Sequence, residues 1–273
     1  MNVKRWPWAA ILVAGVVLPV ALGAQEPRRE LFLLYEDHVK PSMSGAYETS
    51  TKDMLKAFSD AKVSSPSFEM MAFAYDDFTT YCYLTPIPNY AALDGVESDW
   101  MKVAERVGKE RWKKLMDAGA PTVDGCTEMV VEHLTSLSYT PAAPRLKASE
   151  MPYFVDYYYY VMPGREDEFK ALAKQFAALY KSKGIANGWN LYQIVIGDSL
   201  PLFVVGHDAK DPVDFAEWDQ KDTVALGDEA KALFGKVLAA CRKVEVRPGW
   251  WRPDLSYRIS APEPARPEPP KKK

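Results

Sequence analysis

The sequence predicts an α+β fold assembled from two βαββαβ units in tandem. Three observations carry that prediction. Sliding the chain against itself by 122 positions lays Leu31–Tyr83 on Tyr153–Val205 without a gap. Along both stretches, strand-like and helix-like apolar spacing alternate in the same order, which chance rarely maintains over several elements. Between the two units, PAAPRLKASEM (Pro141 to Met151) has the proline-broken, polar character of a linker.

The first unit opens with an apolar and aromatic run, Glu30–Val39, that reads as a strand and ends at Pro41. A helix follows, with Tyr47, Thr51, Met54, Leu55 and Phe58 on one face. Phe68–Tyr75 and Phe78–Leu84 read as a hairpin turning at Asp76-Asp77. Asn89 suits the cap of a short turn before a longer helix over Glu97–Asp117, where Trp100, Val103, Ala104, Val107 and Leu115 share a face. Thr127–Thr135 closes the unit as a strand.

The second unit repeats the plan. Tyr153–Val161 is a strand, and Pro163-Gly164 ends it and starts a helix over Arg165–Lys181 that buries Phe169, Leu172, Phe176 and Leu179. Glu166, Asp167 and Glu168 place negative charge at the positive end of that helix. Trp189–Ile196 and Leu202–His207 form a hairpin around Gly197-Asp198, before a helix near Val224–Ala240 and a strand near Lys243–Val246. The superposition places Phe32 on Phe154, Tyr35 on Tyr157, Val39 on Val161 and Pro41 on Pro163, and both units finish with Leu-Ser-Tyr, at Leu137–Tyr139 and Leu255–Tyr257.

Composition bounds the rest. Of 273 residues, 48% are hydrophobic and 26% charged, and the net charge of −3 with dispersed Lys and Arg excludes the basic face of a nucleic-acid binder. Residues 1–24 read as an export signal: Lys4 and Arg5, an apolar run from Trp8 to Leu22, then Gly23 and Ala24, with cleavage after Ala24. An uncleaved anchor is the alternative, although the run falls short of the roughly 20 residues of a spanning helix. The expected product is exported, periplasmic or extracellular, with no stable membrane insertion after cleavage. Its expected divisions are a first unit at 25–140, a linker at 141–151, a second unit at 152–259, and a disordered Pro/Lys-rich tail at 260–273. Cys82, Cys126 and Cys241 lack metal-ligand spacing and sit in or beside apolar segments, so buried free thiols are expected, with a Cys126–Cys241 bridge left open. No zinc, P-loop, dinucleotide or nucleophile-elbow motif occurs, and no metal site is expected.

Strand alternation sorts the candidate site residues. Phe32, Leu34, Glu36 and His38 share one face of the first strand, and Phe154, Asp156, Tyr158 and Tyr160 share one face of its counterpart. The opposite, mostly aliphatic faces belong under the helices, which leaves Glu36, His38, Asp156, Tyr158 and Tyr160 facing a space between two sheets. His38 or Glu36 is the candidate catalytic base; Asp156, Tyr158, Tyr160 and His133 are candidate ligand-binding groups. Each also has a purely structural reading: the tyrosines as hydrogen-bonded strand residues, His133 as a core histidine, His38 as an exposed strand end. His207 reads as a strand-end or loop residue. The adjacent Trp250 and Trp251 in RPGWWRPD either cover a sheet edge or lid a pocket.

The corner YVMPGREDEFKALAKQF, Tyr160 to Phe176, resembles the first strand-to-helix passage of antibiotic-biosynthesis-monooxygenase-like and NIPSNAP-like domains. With the βαββαβ order, the chain resembles a fused member of the dimeric α+β barrel superfamily, in which two ferredoxin-like sheets face each other within a barrel. That resemblance implies a small-molecule-binding protein. Its activity would be that of a cofactor-independent monooxygenase on an aromatic or quinol-like compound, a non-catalytic ligand-binding or structural role, or haem binding. Haem would need His38 or His133 as axial ligand, and the residue constellation of the haem-degrading branch is missing; the sequence itself requires no cofactor. The first unit has Pro41-Ser42-Met43 where the second has Pro163-Gly164-Arg165, so at most one of two family-type pockets is expected to function.

Overall fold

A computed structural model describes residues 29–75 and 78–258. The chain forms β1 (Glu30–Val39), α1 (Ser44–Asp60), β2 (Glu69–Tyr75), β3 (Phe78–Ile87), α2 (Val96–Val107), α3 (Lys109–Gly119) and β4 (Val123–His133). It continues with β5 (Tyr153–Val161), α4 (Glu166–Lys183), β6 (Asn190–Ile196), β7 (Leu202–Ala209), α5 (Pro212–Ala240) and β8 (Cys241–Trp251). The strands close into one barrel in the order β1-β3-β2-β8-β5-β7-β6-β4. Every neighbouring pair is antiparallel. The α-helices pack outside, giving a mixed α+β barrel. Among the described residues no helix is long and apolar enough to cross a membrane.

The period-two alternation of the strands builds two kinds of core. Outward-facing Val161, Leu191 and Phe203 pack with Phe169, Leu172 and Leu179 of α4, and Phe68 packs with Ala57, Phe58 and Val103 of α1 and α2. Inward-facing Leu34, Met71, Phe73, Phe154, Tyr158, Ile194 and Val204 fill the barrel itself. The tyrosine run splits accordingly: Tyr157 and Tyr159 lie against the helical layer, Tyr158 and Tyr160 inside the barrel. Gly249 makes this packing feasible, because a Cβ there would lie 2.4 Å from the Phe154 ring and 2.7 Å from the Ala72 carbonyl oxygen.

Several elements differ from the sequence expectation. The long helix over Glu97–Asp117 is two helices, broken at Gly108, whose φ of 96° leaves the helical region. The helix expected near Val224–Ala240 begins at Pro212, where the Asp211 carboxylate accepts hydrogen bonds from the backbone N–H groups of Val213 and Asp214. Gly227, at φ 62°, kinks it. The last strand runs from Cys241 through both tryptophans, and because β8 pairs with β2 and β5 there is no free edge for Trp250 and Trp251 to cover. The last strand of the first half begins at Val123 and ends at His133. His207 lies within β7, not in a loop. Cys126 is exposed, Cys82 and Cys241 are buried, and all three are free thiols, so the Cys126–Cys241 bridge does not form. The expected export signal, the Asp76-Asp77 turn and the C-terminal tail lie outside the described residues.

Candidate functional site

The barrel encloses a small cavity of about 60 Å³. Leu34, Met71, Met129, Val131, Ile194 and Val204 supply its apolar wall, Phe154, Tyr158, Tyr192 and Trp251 its aromatic wall, and Asp156, Asn190 and Asp208 its polar groups. Half-buried Asn190, Asp208 and Trp251 border solvent.

Asp156 is the unusual member. It sits in the middle of β5, opposite Gly206 on β7 and Arg247 on β8. Gly206 gives it room, since a Cβ there would stand 2.9 Å from Asp156 Oδ1. Burial, with the neighbouring Asp208 carboxylate adding and Arg247 opposing, pushes the Asp156 carboxyl up to about 8. Near neutral pH it is therefore mainly protonated. Asp208 is also raised by burial, against a 3.1 Å hydrogen bond donated by Trp251 Nε1.

Beside this cavity the barrel holds a charge cluster. The Arg247 guanidinium lies 3.9 Å from the centre of the Tyr158 ring, donates to Glu245 at 2.8 Å, and stands 4.0 Å from Glu36. Glu36, only 4% exposed, accepts a long contact from the Cys82 thiol at 3.6 Å; burial raises its carboxyl despite the pull of Arg247. Tyr160 donates to Glu245 at 2.8 Å, and Lys243 pairs with the same carboxylate. Burial opposes ionisation of Glu245, but hydrogen bonds from Lys243, Arg247 and Tyr160 hold it at about 2.

The structure thus brings Asp156 and Tyr158 to the cavity and leaves other expected site residues elsewhere. Glu36 and Tyr160 face the barrel interior but are engaged with Arg247 and Glu245 rather than lining the cavity. His38 is half-buried near the end of β1, 3.3 Å from Thr127 Oγ1. His133 pairs with Glu30 at 2.8 Å, contacts Ser138 at 3.3 Å and packs on the Tyr192 ring. Met70 packs in the helical layer with Tyr47 and Tyr81, and its neighbour Met71 faces inward. Sequence reasoning offered Trp251 as a possible pocket lid, and it lines the cavity, but missed Asp208, Asn190 and Arg247. The available signal was alternation carried through Gly206 and Gly249, since glycine within a strand marks close approach of another group.

Haem does not fit these residues. The cavity offers about 60 Å³, whereas sites for molecules of that class measure roughly 300–1,000 Å³, and neither His38 nor His133 lines it. Among the described residues no cluster of three or more His, Cys, Asp or Glu is arranged to hold a metal ion.

No protein-family model matches the chain. No curated protein matches it in sequence. Solved structures resemble it in shape. An anthrone oxidase-like protein superposes with a TM-score of 0.53 at 14% identity, over 83% of this chain and 92% of that one. A protein assigned provisionally as a monooxygenase, from Fusobacterium nucleatum subsp. nucleatum, gives 0.51 at 11% identity, over 83% and 94%. A chlorite dismutase from Candidatus Nitrospira defluvii gives 0.47 at 12% identity, over 82% and 92%. At such identities the likeness of the first two extends to the fold alone.

Proposed function

We propose that this protein is a small-molecule-binding α+β barrel whose ligand lies between the sheets against Asp156. One observation carries the reading: among the described residues Asp156 has neither a hydrogen-bond donor nor an ion-pair partner, yet it lines a largely apolar and aromatic cavity. A polar group withdrawn from bulk water with no protein partner costs up to about 1–3 kcal/mol, a cost that a ligand bound against it offsets. Native mass spectrometry of the purified chain tests this. A retained small molecule that is lost in Val204→Phe, which fills the cavity, supports the proposal; retention unchanged by that substitution overturns it.

A monooxygenase-like, cofactor-independent activity on an aromatic or quinol-like compound is the second reading, and the same carboxyl favours it. Above about 8 the Asp156 carboxylate is a base able to take a proton from a ligand hydroxyl, leaving an electron-rich anion for dioxygen to attack. An engineered cavity of about 150 Å³ accepts benzene, so a ring enters here only as Met71, Met129 or Trp251 swings aside. Dioxygen uptake with hydroquinone, dependent on Asp156, would support turnover.

The chain's two halves are proposed as ferredoxin-like units at 25–140 and 152–259, joined by the 141–151 linker. In support, Ser44 and Glu166 open α1 and α4, and Ile87 and Ala209 close β3 and β7, each pair 122 positions apart. The composition of residues 1–24 supports export to the periplasm or beyond. A secreted product beginning at Gln25 is the expected result, and an uncleaved one would count against it.

A further inference from the structure

The charges inside the barrel do not balance. Glu36, Asp156, Asp208 and Glu245 face inward against Arg247 and, at the rim, Lys243. Both cations are committed: Arg247 to Glu245 and Glu36, and Lys243 to Glu245. Among the described residues Asp156 and Asp208 have no cation within ion-pair distance. Around them stand the rings of Phe154, Tyr158, Tyr192 and Trp251. Ionisation of the Tyr192 phenol is opposed by burial first and then by Asp156 and Asp208, which marks negative potential on the same side of the cavity.

Two carboxyls without cations, enclosed by aromatic faces, are the chemistry that recognises an organic cation: the carboxylates accept its N–H groups, and the rings attract its charge through their quadrupoles. Size narrows the class. A cavity of about 60 Å³ is well below the roughly 150 Å³ that takes benzene, which favours an ammonium head over a ring. We infer that the cavity takes the ammonium head of a small primary amine, with Asp156 and Asp208 as twin acceptors and the amine's tail leaving past Trp251 and Asn190. The inference rests on the cavity being the binding site, and it names the class of ligand.

Proton linkage gives it a signature. Asp156 is faced by Asp208 on β7, Arg247 on β8, Tyr158 on its own strand, Tyr192 on β6, Cys82 on β3 and Glu36 on β1. Of these, only Arg247 favours its ionisation. An arriving ammonium ion adds a second such charge and expels the carboxyl proton. With a starting pKa of about 8, about nine-tenths of Asp156 is protonated at pH 7, so binding releases close to one proton.

The test is calorimetry of the full chain at pH 7 with butylammonium, butan-1-ol and hydroquinone, repeated in two buffers of different ionisation enthalpy. Butylammonium is expected to bind with release of close to one proton, and Asp156→Asn and Asp208→Asn each to weaken it at least about tenfold, the scale of a lost charge-assisted hydrogen bond. Binding of butan-1-ol or hydroquinone in place of butylammonium would overturn the amine inference while leaving the cavity reading intact. Butylammonium binding without proton release, or unchanged in both variants, would also overturn it. Absence of binding by all three, with circular dichroism showing a folded chain, would remove the cavity reading along with the inference.

Discussion

Asp156→Asn should make the protein more stable, and increasingly so as the pH rises. In the unfolded chain an aspartate titrates near about 3.9; in the folded barrel Asp156 titrates at about 8. Below the lower value both states carry the proton and the substitution removes no ionisation penalty. Between the two values the native state keeps a proton that the unfolded state has lost, so stability falls with pH by at most about 1.4 kcal/mol per unit. At pH 7 the penalty has a ceiling of about 4 kcal/mol, and solvent reaching the half-buried carboxyl reduces it to roughly half. Asparagine keeps the shape and cannot ionise. Urea unfolding of both proteins at pH 5, 6, 7 and 8 measures the difference, which should widen with pH and level off above about 8. A difference constant across that range, or a wild type more stable at pH 8, would refute the claim that Asp156 is an unpaired carboxyl.

Three further outcomes follow from the same structure. Arg247→Met strands Glu36 and Glu245 inside the barrel and should cost about 3–5 kcal/mol at pH 7, with a smaller loss at pH 4 where Glu36 is protonated, again read by urea unfolding. His207, packed against Tyr157, Phe215 and Trp218, is held neutral by burial at about 4. Because its folded value lies below the unfolded one, it adds stability above about 6.5 that is lost as the pH falls toward 4, and His207→Phe should flatten that part of the acid limb. A thiol reagent should modify only Cys126 in the native chain and all three cysteines in urea; rapid native modification of Cys82 would contradict its burial.

The inward and outward faces of the opening strands were legible in the sequence because alternation is strict there: one strand of Tyr153–Val161 sends Asp156 and Tyr158 into the barrel and Tyr157 and Tyr159 to the helices. The partners of Asp156 were harder to read. Asp208 lies just beyond where β7 was expected to end, and Arg247 and Trp251 lie on a part of β8 that Pro248 and Gly249 disguise as a turn. That glycine belongs to the strand because Phe154 needs its missing side chain. The break at Gly108 reflects a backbone angle rather than an apolar pattern, so periodicity carried one helix straight through it. The free carboxyl depends on long-range closure of β5 against β7 and β8, which local pattern does not encode.

The central claim is that Asp156 stands unpaired in the barrel cavity, and the direct measurement is its own titration. Carboxyl ¹³C NMR of the wild-type protein, with the resonance assigned by its loss in Asp156→Asn, should show a midpoint near 8. A midpoint near the ordinary aspartate value of about 4 would contradict it, since that result would require a partner or open solvent at the carboxylate.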